Sequence, residues 1–131
     1  PVCHQTVSLV SRHLEEAGFP TVVMGSARDI VEECGVSRFV YTDFPLGNPT
    51  GKPDDVEMQS AITGIALDLL ERAWEPRTTV QTPFVWDAEA NEDWRLHFMK
   101  VDDSNRDALA AAGDQRRSAQ AQVKAEGRGR G

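Results

Sequence analysis

Two short apolar runs constrain this chain most. Thr21-Val22-Val23-Met24 has no polar alternation, which suits a parallel strand covered on both faces, and Arg38-Phe39-Val40-Tyr41-Thr42 reads as a second strand. Each follows a helix-like segment closed by glycine. In residues 4–17, Val7, Val10, Leu14 and Ala17 recur at helical spacing, with Arg12, Glu15 and Glu16 on other faces. This predicts an amphipathic helix whose apolar stripe is its packing face, with Gly18 as its left-handed cap. Ser26 reads as the N-cap of a short helix over residues 27–34, with Asp29 at its third position and Gly35 after its end.

Residues 44–52, Phe-Pro-Leu-Gly-Asn-Pro-Thr-Gly-Lys, read as a loop. Asp54 and Glu57 resemble a capping box for a helix over residues 55–74. That helix carries the stripe Met58, Ile62, Ile65 and Leu69, widened by Ala61, Ala66 and Leu70, and Pro76 stops it. Residues 78–85 have strand character, but Pro83 restricts them to a sheet edge or an extended arm. Residues 92–101, with Trp94, Phe98 and Val101, read as a short docking segment.

The alternation of helix and strand predicts an α/β fold: a Rossmann-like parallel sheet with flanking helices. The pattern opens on a helix with no strand before it and the chain on Pro1 rather than Met, so the expectation is an incomplete part of a larger doubly wound fold. Residues 1–102 are read as the α/β domain and 103–131 as a low-complexity, disordered tail or fraying helix.

Charge narrows the partners. The net charge of −7 divides into −10 over residues 1–103 and +3 beyond. An acidic body argues against nucleic acid as the main partner. No apolar run is long enough to span a bilayer, and no signal peptide is visible. Cys3 and Cys34 are too few for a disulfide framework, and two thiols in an acidic chain point to a reducing cytoplasm.

In open parallel sheets ligands bind beyond the carboxyl ends of the strands. Three segments are expected there: the start of the first helix, Gly25-Ser26, and the loop over 44–52. Cys3 sits at the helix start, where free amides and the helix dipole stabilise a thiolate, the species that attacks carbon or sulfur. His4 is either an acid–base partner or a surface residue. Gln5 and Thr6 are either polar site groups or plain first-turn residues. Ser26, Gly47 and Asn48 are candidate ligand contacts, the last two in a loop stiffened by Pro45 and Pro49 that also suits an ordinary crossover. Cys34 reads as a packing residue, and Trp74, Trp86 and Trp94 as core or interface. No zinc constellation or phosphate loop is present.

Glu15-Glu16-Ala17-Gly18-Phe19-Pro20, Gly35-Val36-Ser37-Arg38-Phe39-Val40 and Pro45-Leu46-Gly47-Asn48-Pro49 resemble phrases of the selenoprotein B family of glycine, betaine, sarcosine and D-proline reductases. The resemblance spans about residues 1–86. It implies a redox motif in which selenocysteine or cysteine is followed by two residues and a cysteine; either Cys3 is the second member and the first immediately precedes Pro1, or this member works with Cys3 alone. It further implies reductive cleavage of a C–N bond in a small amino-acid or betaine-like substrate. Other reductase subunits, one carrying a pyruvoyl group in the glycine and proline enzymes, and a thioredoxin-like reductant would take part. A homo-oligomer is left open. The chain itself supplies no cofactor. Two other readings stand beside this one: a non-catalytic interaction domain that keeps the fold, and a thiol redox sensor built on Cys3.

Overall fold

The computed structural model describes residues 2–86 and 93–126. Pro1, the first residue of the expected docking segment (92) and the end of the expected tail (127–131) lie outside them. The chain divides into two units, Pro1–Leu96 and His97–Gly131.

The first unit holds α1 (Val2–Glu16), β1 (Val23–Gly25), α2 (Arg28–Cys34), β2 (Arg38–Tyr41), α3 (Val56–Arg72), β3 (Thr78–Gln81) and a 3-10 turn (Trp94–Leu96). The strands form one parallel sheet in the order β1-β2-β3, with Val23 paired to Phe39 and Val40 to Val80. The expected α/β architecture is therefore the observed one. Strand alternation sorts the core onto two faces. Val23 and Phe39 pack with Val31 of α2 and with Val36 on one face. Val40 packs with Ile62, Ala66 and Leu69 of α3 on the other. The chain steps from β1 to β3 in one direction while α2 and α3 lie on opposite faces. The two crossovers consequently have opposite hands, and one departs from the right-handed rule for parallel strands.

Local chemistry accounts for most element ends. Gly18 has φ +88°, and the Gly18 and Phe19 amides donate to the carbonyls of Glu15 (3.0 Å) and Leu14 (2.9 Å), a Schellman closure of α1. Two expected caps are corrected. Asp55, one residue later than Asp54, caps α3 by accepting the Met58 amide at 2.9 Å, and Asp54 takes φ +62°. Ser26 does not cap α2: the N-cap is Ala27, with no side-chain bond, and the Ser26 hydroxyl is buried without a partner.

The larger correction concerns α1. Its buried residues are His4, Ser8 and Ser11, whereas Val7, Val10 and Leu14 are 43%, 52% and 37% exposed. Ser8 returns its hydroxyl to the His4 carbonyl at 2.7 Å, and Ser11 meets the Thr21 hydroxyl at 2.6 Å. Small side chains bring the helix close to the sheet. One carboxylate oxygen of Glu15 then takes the Thr21 amide (2.6 Å), the Thr21 hydroxyl (2.9 Å) and the Arg38 guanidinium (2.9 Å). Arg12 donates to the Cys34 carbonyl at 3.2 Å, so α2 lies on the Arg12 side of α1. The apolar stripe lies about 100° round the helix the other way, beyond β1, an edge strand of the sheet. Val10→Lys should accordingly change unfolding free energy by no more than about 0.5 kcal/mol, the usual range for surface substitutions. Urea denaturation checks this; a loss of about 2 kcal/mol or more would show the stripe to be packed within this chain.

In the second unit, residues 106–125 of the segment read as a tail form α4 (Arg106–Ala125). Before it, the Asn105 amide group donates to the Lys100 carbonyl at 2.9 Å, and Arg106 pairs with Asp103 at 2.9 Å. None of the α4 residues is buried. Among the described residues no helix is long and apolar enough to cross a membrane.

Candidate functional site

The carboxyl ends of the strands are joined by bonds that continue past the sheet. Gly25 and Tyr41 carbonyls accept the amides of Thr42 (3.0 Å) and Thr82 (2.9 Å). Thr42 and Thr82 are themselves buried, and their hydroxyls lie 3.4 Å apart. This fixes the three post-strand loops at one edge, and α1 starts at the same edge.

His4 makes that junction. Its ring is buried (5% exposed), and its Nε2 accepts the amides of Ser26 at 3.0 Å and Ala27 at 3.3 Å. The first-turn residues of α1 are thereby tied to the β1–α2 turn, 22 residues away. The reading of His4 as a surface residue is overturned. Gly25 leaves the space: a Cβ there would lie 2.9 Å from His4 Cδ2 and 3.1 Å from Phe39 Cε2. Burial, and after it the positive amino terminus, push the His4 pKa below its ordinary 6.5, against the pull of Asp29 toward the charged form. On the far side of the ring, Nδ1 lies 3.4 Å from Cys3 Sγ. Cys3 is exposed and forms no disulfide; Cys34 is half-buried.

The other expected site residues are distributed unevenly. Ser26 lies at the His4 junction. Gln5 and Thr6 are exposed on α1, and the Thr6 hydroxyl donates to the Val2 carbonyl at 3.1 Å. Gly47 is exposed with φ +98°. Asn48 donates from its side chain to the Pro45 carbonyl at 3.2 Å, so it shapes its own loop.

A second cluster at this edge was not anticipated. The Tyr41 hydroxyl donates to Asp43 at 2.9 Å, and Arg95 pairs with the other Asp43 oxygen. Trp94 donates to the Asp43 carbonyl at 3.2 Å, and the Arg28 guanidinium lies 5.8 Å from the Tyr41 ring centre. Burial, then the bond to Asp43, raise the Tyr41 pKa above 10.0. Asp43, Gln81, Phe84, Trp86, Trp94 and Arg95 line a cavity of about 300 Å³. Trp86 packs edge-on against buried Phe44, whereas Trp74 is 79% exposed, contrary to a core role. Arg95 and Asp43 are 52 residues apart, and no local pattern links them. Among the described residues, no three His, Cys, Asp or Glu side chains are grouped to hold a metal ion.

Comparison with known proteins adds the reductase connection. The chain is similar to D-proline reductase subunit gamma. The relative, from Acetoanaerobium sticklandii, is 31% identical over 87 residues, which is 66% of this chain and 36% of the relative. The chain thus spans little more than a third of the relative's length. No family model matches the chain, and no solved structure matches it. The general resemblance is to a domain of the reductase B type.

Proposed function

We propose that this chain is a domain of a cytoplasmic multi-subunit reductase of the selenoprotein B type, with Cys3 as half of its redox pair. The observation that carries the reading is the exposed Cys3 thiol on the first turn of α1, at the edge where parallel sheets bind ligands, in a chain similar to D-proline reductase subunit gamma. An exposed thiol free of any disulfide fits one half of a pair whose other member, a selenocysteine or cysteine, immediately precedes Pro1. A selenium or sulfur nucleophile there would supply the attack on carbon.

Cleaving a C–N bond to C–H and N–H takes two electrons and two protons. Cys3 supplies one of those electrons and its redox partner the other, as Cys3 Sγ closes a bond to that partner. A dithiol reductant of the thioredoxin type returns both electrons, Cys3 leaves as a thiolate, and the dithiol becomes a disulfide. Any pyruvoyl group belongs to another subunit. Gln5, Thr6 and Ser26 lie beside Cys3 or its helix turn and are the proposed substrate contacts, with Gly47 and Asn48 setting the course of the neighbouring loop. The apolar flank of α1 beside the edge strand β1 is where a further part of the reductase packs; the relative, with nearly two thirds of its length outside the matched region, has additional chain to cover such a face. A glycine-, betaine-, sarcosine- or proline-like substrate follows from the family resemblance.

Glutathione disulfide tests the thiol directly. Mass spectrometry should find glutathione on Cys3 well before Cys34, and a thioredoxin-type dithiol should remove it. In the assembled reductase Cys3→Ser should abolish turnover. Retained turnover, or equal labelling of the two cysteines, would sink the reading.

A further inference from the structure

We propose that His4 is a positioning residue locked in one neutral tautomer, with Nε2 accepting from the Ser26 and Ala27 amides and Nδ1–H donating to Cys3 Sγ, and that protonating the ring opens this latch. The assignment follows from what a backbone amide can do. An N–H only donates, so the nitrogen that faces two of them, at 3.0 and 3.3 Å, must present a lone pair. In a neutral imidazole the remaining nitrogen then carries the proton. That nitrogen is Nδ1, 3.4 Å from Cys3 Sγ. The hydrogen bond therefore runs from ring to sulfur, and a thiolate accepts it more strongly than a thiol because charge-assisted bonds are the stronger kind. Nδ1 in this tautomer has no lone pair with which to take the thiol proton. His4 serves Cys3 as a fixed donor rather than as a general base.

Protonation places a second N–H where the Ser26 and Ala27 amides already point, and both bonds are lost. The groups facing the ring are few. Among the described residues Cys3 comes from α1 and Asp29 from α2, and the charge of the amino terminus also acts on the ring; the sheet presents Gly25 and Phe39, neither of them titratable. Asp29 favours the charged ring, but burial first, and the positive amino terminus second, outweigh it, so the folded-state pKa of His4 lies below its ordinary 6.5. A histidine with a depressed folded pKa binds its proton more readily when unfolded. Its contribution to stability is therefore complete above pH 6.5 and is lost as pH falls through the folded value. The latch is closed at neutral pH and opens on the acid side.

The consequence for chemistry rests on the reading of Cys3 as the reacting thiol; the tautomer does not. Ring nitrogen NMR on the full chain, with amide exchange at Ser26 and Ala27 from pH 8 to 5, tests the latch. The expected result is a protonated Nδ1 and a bare Nε2 at pH 8, with protection at both amides falling about tenfold as the ring titrates, the worth of one hydrogen bond. A protonated Nε2 at pH 8, or a ring that titrates while both amides stay protected, overturns the proposal. His4→Gln can place its amide oxygen near the Nε2 position and should keep both amides protected with no pH dependence, while slowing Cys3 alkylation. His4→Ala should lose the protection at every pH. Unchanged alkylation in His4→Gln overturns the donor role. An unreactive Cys3 in a chain whose latch is intact instead overturns the proposed function and leaves the tautomer standing.

Discussion

Phe39→Ala should cost about 3–5 kcal/mol of unfolding free energy, the range for emptying an aromatic site in a core. Phe39 is 1% exposed on the central strand β2 and packs with Val23, Val31 and Val36. Its ring centre lies 6.1 Å from that of Tyr41, and its Cε2 borders Gly25. Those neighbours come from both ends of the α2 crossover, so the face cannot collapse onto the vacancy without moving the β1–α2 turn. Since domains of this kind keep only about 5–15 kcal/mol in hand, the variant should stand close to unfolding. Urea denaturation checks it, with the midpoint lowered and the slope unchanged. A loss under about 1 kcal/mol would mean that α1 and α2 do not enclose this face.

Gly25→Ala should carry the second effect, and it acts on the site as well as on stability. The added methyl would sit 2.9 Å from His4 Cδ2, 3.1 Å from Phe39 Cε2 and 3.2 Å from His4 Nε2. Neither ring is the free end of a flexible chain: His4 is held by two amides, and Phe39 lies in the core. Overpacking of this sort costs about 1–3 kcal/mol. The ring that yields should be His4, since its displacement breaks two hydrogen bonds while Phe39 would have to leave the core. The expected signature is thus a lowered denaturation midpoint together with lost protection at the Ser26 and Ala27 amides. A variant that loses stability while both amides stay protected would place the strain at Phe39 instead.

How far the sequence reaches can be judged from α1 and α3. Both helices carry apolar residues at helical spacing, and both were readable as helices, with Gly18 as the stop for α1. For α3 the stripe also names the packing face, because its partner, the Val40 side of the sheet, lies within this chain. For α1 it does not. The stripe Val7, Val10 and Leu14 is exposed, and the helix meets the sheet through His4, Ser8 and Ser11. Periodicity reports that an apolar face exists; it carries no information on whether its partner belongs to the same chain. Two serines in a helix look like surface residues until a strand is placed against them.

Cys3 and its helix start were legible because a helix terminus and a thiol are both local features. So were the parallel sheet and the edge where a site would form, because strand runs and glycine stops are set by neighbouring residues. The role of His4 was not legible. Its hydrogen-bond partners are amides more than 20 residues away, and amides are common to every residue, so no side-chain pattern marks them. The same holds for Asp43 with Arg95, joined across the unit by folding alone. Sequence by itself determined the helices and strands of the parallel-sheet unit and that a thiol stands on the first turn of α1. Only the tertiary structure decided which face of α1 is buried and which amides meet the His4 ring beside the thiol, because both depend on distances between groups that the chain brings together only when it folds.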